Sequence, residues 1–88
     1  MSKVVLYGTL FCPYCFAAKH LLKQKGVEFE EIRVDKNPSL KQEMIEKSGR
    51  FTVPQIFIGD YHVGGYDDLS EHDRSGKLDT ILTTDLAS

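Results

Sequence analysis

Tryptophan is absent from this chain of 88 residues, and there are only two cysteines. Two thiols cannot build the multi-bridge framework of a small secreted domain. They cannot complete a four-ligand zinc site either. His20, His62 and His72 lack the spacing that would supply the rest, so no metal is expected. Charge of one sign is missing too: 11 basic against 13 acidic residues leave a formal net charge of −2. No run of like charges marks a nucleic-acid tail or a membrane patch, so neither partner is expected. No apolar stretch approaches the roughly 18 residues of a spanning helix. Met1-Ser2-Lys3-Val4-Val5 enters a strand pattern without a signal-peptide core. A cytoplasmic, reducing compartment fits best, and there a cysteine pair is catalytic and not structural. At this length one domain over residues 1–88 is expected, acting as a monomer. Its 41% hydrophobic and 27% charged content is ordinary for a globular protein.

What is present is concentrated in Phe11-Cys12-Pro13-Tyr14-Cys15. A strand-like run, Lys3 to Tyr7, leads in, and a helical pattern, Phe16 through Lys25, leads out. Cys12 is expected at the helix N-cap. Pro13 follows at the first helical position, where its missing N–H is no loss. Cys15 then lies one turn on, near the same face. An ordinary thiol has a pKa of about 8.5, and the thiolate is the nucleophile. Unpaired N–H groups and the partial positive charge at a helix N-terminus favour the thiolate. Two units of lowering, at about 1.4 kcal/mol each, would make Cys12 mostly thiolate at neutral pH. Cys15, deeper in the helix, is expected to stay protonated. Cys12 is therefore assigned as the attacking sulfur and Cys15 as the resolving one. A static disulfide across two residues would remove little chain entropy, which argues for redox chemistry.

In chain order, Lys3 to Tyr7 reads as a buried strand. Leu10 and Phe11 either pack back on the domain or form an apolar lip beside Cys12 for a docking substrate. The first helix offers Phe16, Ala17, Leu21 and Leu22 as a buried stripe, with Lys19 and Lys23 outward and Gly26 at its end. His20 reads as a surface residue. Val27 to Val34 alternates with one interruption and suggests an edge strand. Asn37 and Pro38 open a second helix running to about Lys47, with Leu40, Met44 and Ile45 inward and Gly49 as its stop. The crossover makes the first two strands parallel. Gln55 to Ile58 and Tyr61 to Val63 form a hairpin about Gly59-Asp60. Gly64-Gly65-Tyr66-Asp67-Asp68 then opens a third helix, capped by Asp67 or Asp68 and ended near Gly76. Leu78, Ile81 and Leu82 suggest a last short helix, and Leu86-Ala87-Ser88 a frayed end.

A C-P-Y-C helix start, a T-V-P before a strand and a G-G-x-D-D before a helix, in that order, resemble the dithiol glutaredoxins of the thioredoxin superfamily. The resemblance covers essentially the whole chain. It implies an α/β, thioredoxin-like fold, a four-stranded mixed sheet flanked by helices in the order β-α-β-α-β-β-α. That agrees with the reading from the residues. It implies no tightly bound cofactor, with glutathione as reducing co-substrate. By the resemblance Cys12 is the nucleophile, Cys15 the resolving thiol and Pro54 a cis proline. That proline turns the Val53 backbone toward Cys12 to pair with glutathione as a β-bridge. Tyr66, Asp67 and Asp68 match the segment that holds the γ-glutamyl end. Helix N–H groups there bind its carboxylate and an aspartate its ammonium, while the other aspartate caps the helix. Lys41 matches the site near the glycine carboxylate, and Tyr14 the tyrosine packing beside glutathione. Thr9 stands where many relatives carry lysine, with Lys41 and Arg50 as candidate replacements, and Tyr66 stands where many carry cysteine.

The implied activity is reduction of protein disulfides and glutathione mixed disulfides. Ribonucleotide reductase is a partner by family resemblance only. A thioredoxin-type role, recycled by a flavoprotein, is disfavoured by the missing tryptophan and by the G-G-x-D-D segment. An iron–sulfur carrier role usually accompanies C-G-F-S, and Pro13 stiffens this loop against it.

Overall fold

The computed structural model describes residues 3–83. Eight elements follow one another: β1 (Val4–Gly8), α1 (Pro13–Gln24), β2 (Glu30–Arg33), α2 (Pro38–Ser48), β3 (Gln55–Ile58), β4 (Tyr61–Gly64), α3 (Tyr66–Arg74) and α4 (Lys77–Thr83). The expected frayed end, Leu86-Ala87-Ser88, lies outside the described residues.

The sheet order is β2-β1-β3-β4. β1 runs parallel to β2 and antiparallel to β3, and β4 returns antiparallel to β3. The central strand alternates between two cores, because successive side chains leave opposite faces. Val4 and Leu6 join Ala18, Leu22, Leu69, Leu78 and Ile81 beneath α1, α3 and α4. Tyr7 turns the other way, to Val34 and Met44, with Val5 packed beside them. Its hydroxyl donates to Glu43 Oε2 at 2.7 Å and ties β1 to α2. Burial and the Glu43 carboxylate push that phenol's pKa up.

The helix boundaries follow local chemistry. Asn37 caps α2, its side chain accepting the Ser39 N–H at 2.8 Å. Gly49 closes α2 in the left-handed region at φ 71°, the conformation that glycine adopts without a Cβ penalty. Three expectations need correction. β2 is four residues long and not eight, an edge strand whose register begins only at Glu30 opposite Val5. Neither Asp67 nor Asp68 is the N-cap of α3. Gly65 holds that position, and Asp68, from inside the first turn, accepts the Gly65 N–H at 3.0 Å. Phe16 is not in the buried stripe of α1. Cys15, Ala18 and Leu22 are the residues that α1 buries, which turns Phe16 outward at 70% exposure.

Candidate active site

Cys12 is the N-cap of α1 with extended backbone, φ −129° and ψ 107°. Its Sγ accepts the backbone N–H of Cys15 at 3.1 Å. This is the capping interaction usually made by serine or aspartate oxygen, made by sulfur instead. Cys12 is partly exposed, whereas Cys15 is fully buried one turn behind it. Burial pushes the Cys15 thiol up to about 12, aided by its hydrogen bond with Cys12 and opposed by Thr9 and Lys19. Both thiols are free. Gly8, at the end of β1, makes the Cys15 seat possible. A Cβ there would stand 3.0 Å from Cys15 Sγ and 3.1 Å from Leu6 Cδ2.

The loop before β3 approaches from the other side. The Val53–Pro54 peptide bond is cis. The Cys12 thiol points at the Val53 carbonyl oxygen, 3.9 Å away, a long contact. The loop is held from beneath by Gln55, the one polar residue buried among the described residues. Its Nε2 donates to the Thr52 carbonyl at 3.0 Å and lies 3.3 Å from the Thr52 hydroxyl. That fixes the amide's orientation, so Gln55 Oε1 accepts from His62 Nε2 at 2.7 Å. His62 stacks on Phe57, and burial, then Arg50, pushes its pKa down. A neutral imidazole protonated on Nε2 suits that bond.

Beside the cysteines runs a groove of about 210 Å³, lined by Tyr14, Arg50, Thr52, Val53, Pro54, Gly65, Tyr66 and Asp67. The Tyr14 and Tyr66 rings stand 6.2 Å apart. Arg50 Nη1 donates to Asp68 Oδ2 at 3.0 Å. That bond, followed by the Gly65 N–H, holds the Asp68 carboxyl below its ordinary pKa. Asp67 makes no such bond and lines the groove.

Five of the expected glutathione contacts, Tyr14, Val53, Pro54, Tyr66 and Asp67, thus share one groove, and Asp68 stands behind it. Lys41 does not line it. This lysine is exposed on α2, and the cation in the groove wall is Arg50. Thr52, Gly65, Gln55 and Gly8 were not assigned to the site from sequence. For Thr52 and Gly65 the signal was membership of the T-V-P and G-G-x-D-D motifs. For Gln55 and Gly8 a strand-end position carried none. Among the described residues no cluster of three or more His, Cys, Asp or Glu side chains is placed to hold a metal ion.

The glutaredoxin family model matches residues 4–63. A glutaredoxin of Pseudomonas aeruginosa is 54% identical over 83 residues, covering 94% of this chain and 99% of the relative. Glutaredoxin 3 of Escherichia coli is 51% identical over 82 residues, with coverage of 93% and 99%. Among solved structures, a glutaredoxin from Brucella melitensis superposes with a TM-score of 0.85 at 54% identity, covering 96% of this chain and 91% of the other. A buckwheat glutaredoxin–glutathione complex gives 0.86 at 33% identity, with 93% and 77% covered. Similarity that runs nearly end to end in both sequence and backbone places the chain in the glutaredoxin family, the glutathione-dependent thiol–disulfide oxidoreductases.

Proposed function

We propose that this protein reduces protein disulfides and glutathione mixed disulfides with Cys12 as nucleophile and Cys15 as resolving thiol, the whole chain acting as one domain. The observation that carries the assignment is the asymmetry of the pair. Cys12 is partly exposed and its Sγ receives an N–H at the helix start, while the Cys15 thiol is buried and held protonated.

With a glutathionylated substrate, the Cys12 thiolate attacks the glutathione sulfur. A sulfur–sulfur bond forms to Cys12, and the substrate leaves as a thiolate that takes up a proton. A second glutathione attacks the Cys12-bound sulfur, departs as glutathione disulfide and frees Cys12. With a protein disulfide, Cys12 forms a mixed disulfide with one substrate sulfur and the other leaves. Cys15 loses its proton as it attacks Cys12, closing a Cys12–Cys15 bond and releasing the second substrate thiol. Two glutathiones then supply the two electrons that reopen the bond.

The groove is the seat for glutathione in this reading. The Val53 backbone pairs with the tripeptide, beside Pro54, Tyr14 and Tyr66. The α3 N-terminus takes the γ-glutamyl carboxylate, and the Asp67 side chain takes its ammonium. Asp68 secures the helix start through Gly65. Arg50 is the cation proposed for the glycyl carboxylate, with Lys41 as an outer cation on α2. A likeness to the buckwheat glutathione complex supports this placement.

The test is glutathione-driven reduction of a glutathionylated peptide by wild type, Cys12→Ser and Cys15→Ser. Activity is expected in wild type and Cys15→Ser and absent in Cys12→Ser. Activity surviving in Cys12→Ser would reverse the roles of the two cysteines.

A further inference from the structure

A side-chain amide is costly to bury unless its polar atoms are paired. Gln55 is buried completely, and each end of its amide has a specific partner. Nε2 donates to the Thr52 carbonyl at 3.0 Å, and Oε1 accepts from His62 Nε2 at 2.7 Å. His62 is itself held against Phe57, with ring centroids 4.7 Å apart. Neither Gln55 nor His62 lines the glutathione groove, whereas Thr52 and Val53 both do. Any effect of the two on the groove therefore passes through Thr52. The cis bond of this loop is Val53–Pro54, so the Thr52–Val53 peptide is trans. A trans peptide unit is planar, with its C=O and N–H on opposite sides. The Thr52 carbonyl points at the buried Gln55 amide, and so the Val53 N–H of the same plane faces away from it. That N–H donates to no backbone group among the described residues. Pro54 has no N–H, which leaves Val53 as the backbone donor at this corner of the groove.

Resting on the glutathione reading above, we propose that Gln55 and His62 are positioning residues for glutathione: acting through the Thr52 carbonyl, they hold the Thr52–Val53 peptide plane so that the Val53 N–H is presented to the tripeptide backbone. The His62 bond matters because it fixes the Gln55 amide in one orientation. Without it, Gln55 Oε1 is a buried acceptor that has lost its partner, and the amide no longer has a single reason to keep its nitrogen on Thr52. The relay acts on selectivity and not on the chemistry of Cys12. A glutathionyl group offers a peptide backbone for Val53 to pair with. A cysteinyl group brings the same sulfur without a peptide bond. Loss of the relay therefore slows attack on glutathionyl disulfides and spares attack on cysteinyl ones.

One peptide, its single cysteine capped either by glutathione or by free cysteine, tests this. The readout is the second-order rate constant for release of the peptide thiol in a single turnover, with Cys15→Ser as the parent protein. In that step Cys12 forms a disulfide with the cap sulfur, and the peptide leaves as a thiolate that takes up a proton. The parent is expected to prefer the glutathionyl cap. Adding Gln55→Met is expected to cut that preference about fivefold, the scale of one hydrogen bond, with the cysteinyl rate within about twofold of the parent. His62→Phe can still stack on Phe57 but has no donor, and it is expected to move the preference the same way. His62→Gln sets an amide nitrogen where the imidazole Nε2 stands and is expected to restore it. If Gln55→Met does not fold, the two His62 variants decide the matter. A preference kept in every folded variant that lacks the relay overturns it, and so do rates that fall equally on both caps. A loss in His62→Phe that His62→Gln leaves in place overturns it too. A parent that treats the two caps alike overturns the glutathione reading and the relay with it.

Discussion

At the scale of single residues, the two cysteines differ because their surroundings differ, not their chemistry. Cys12 caps a helix and Cys15 is packed into it. The Cys15 thiol, pushed up to about 12 in the folded protein, ionises near its ordinary value of about 8.5 once unfolded. Between those values the unfolded chain gives up a proton that the folded one keeps. The stability tied to this group is therefore whole below the unfolded value and is lost as pH rises toward 12. Urea midpoints of the reduced protein are expected to fall between pH 7 and pH 10, and to fall less in Cys15→Ala. Tyr7, whose pKa is also raised, contributes the same sign at higher pH, so the difference between the two proteins isolates Cys15. An equal fall in both would mean that the Cys15 thiol is not held protonated by the fold.

At the scale of elements, the turn into α3 shows how several residues share one constraint. Gly64 has φ 118°, and a Cβ there would overlap the Asp68 carboxylate. Asp68 in turn holds the Gly65 N–H and Arg50. Gly64→Ala is expected to cost about 1–3 kcal/mol through backbone strain and overlap. Adding Asp68→Ala removes the overlapping carboxylate and leaves the Cβ, 2.9 Å away. The double variant should then be less destabilised than the sum of the two single ones, as read from urea unfolding. Strict additivity would mean that the carboxylate overlap adds nothing to the cost. The same turn was partly readable in advance. G-G-x-D-D announced a helix start, but not that a glycine would cap it while an aspartate reached back. The α1 stripe shows a comparable slip. Phe16 fits a helical period on paper, yet Cys15 occupies the core position and turns that stripe by about one residue.

At the scale of the whole molecule, cavity size does not find the chemistry. A larger cavity, about 630 Å³, is lined by residues such as Lys3, Val27, Phe29 and Leu82, and shares none with the groove beside the cysteines. The sheet explains why the smaller one matters. The antiparallel pairing of β1 with β3, Tyr7 opposite Gln55, brings the loops that flank Cys12 and Pro54 to one end. Glutathione added to Cys15→Ser as its mixed disulfide is expected to shift the amide resonances of Thr52, Val53, Gly65 and Asp67, and to leave those of Val27 and Phe29 in place. The reverse pattern would move the glutathione seat to the larger cavity.

Sequence by itself determined what nearest neighbours decide. Short apolar runs marked β1 and β3, the Asn37-Pro38 and Cys12-Pro13 pairs set two helix starts, and the hairpin and the cysteine pair followed from spacing of a few residues. These features arise within a turn or two of chain, so the local pattern suffices. Tertiary structure decided the packing around the cysteine pair and the groove, where local pattern is silent and only the family resemblance had brought Val53 to Cys12. Gly8 lies seven residues from Cys15, Arg50 pairs with Asp68 across 18 residues, and Val53 meets Cys12 across 41. The last of these contacts exists because β1 and β3 pair at the centre of the sheet. The same assembly buries Cys15 and leaves Phe16 in water, a distinction that periodicity along one helix cannot make.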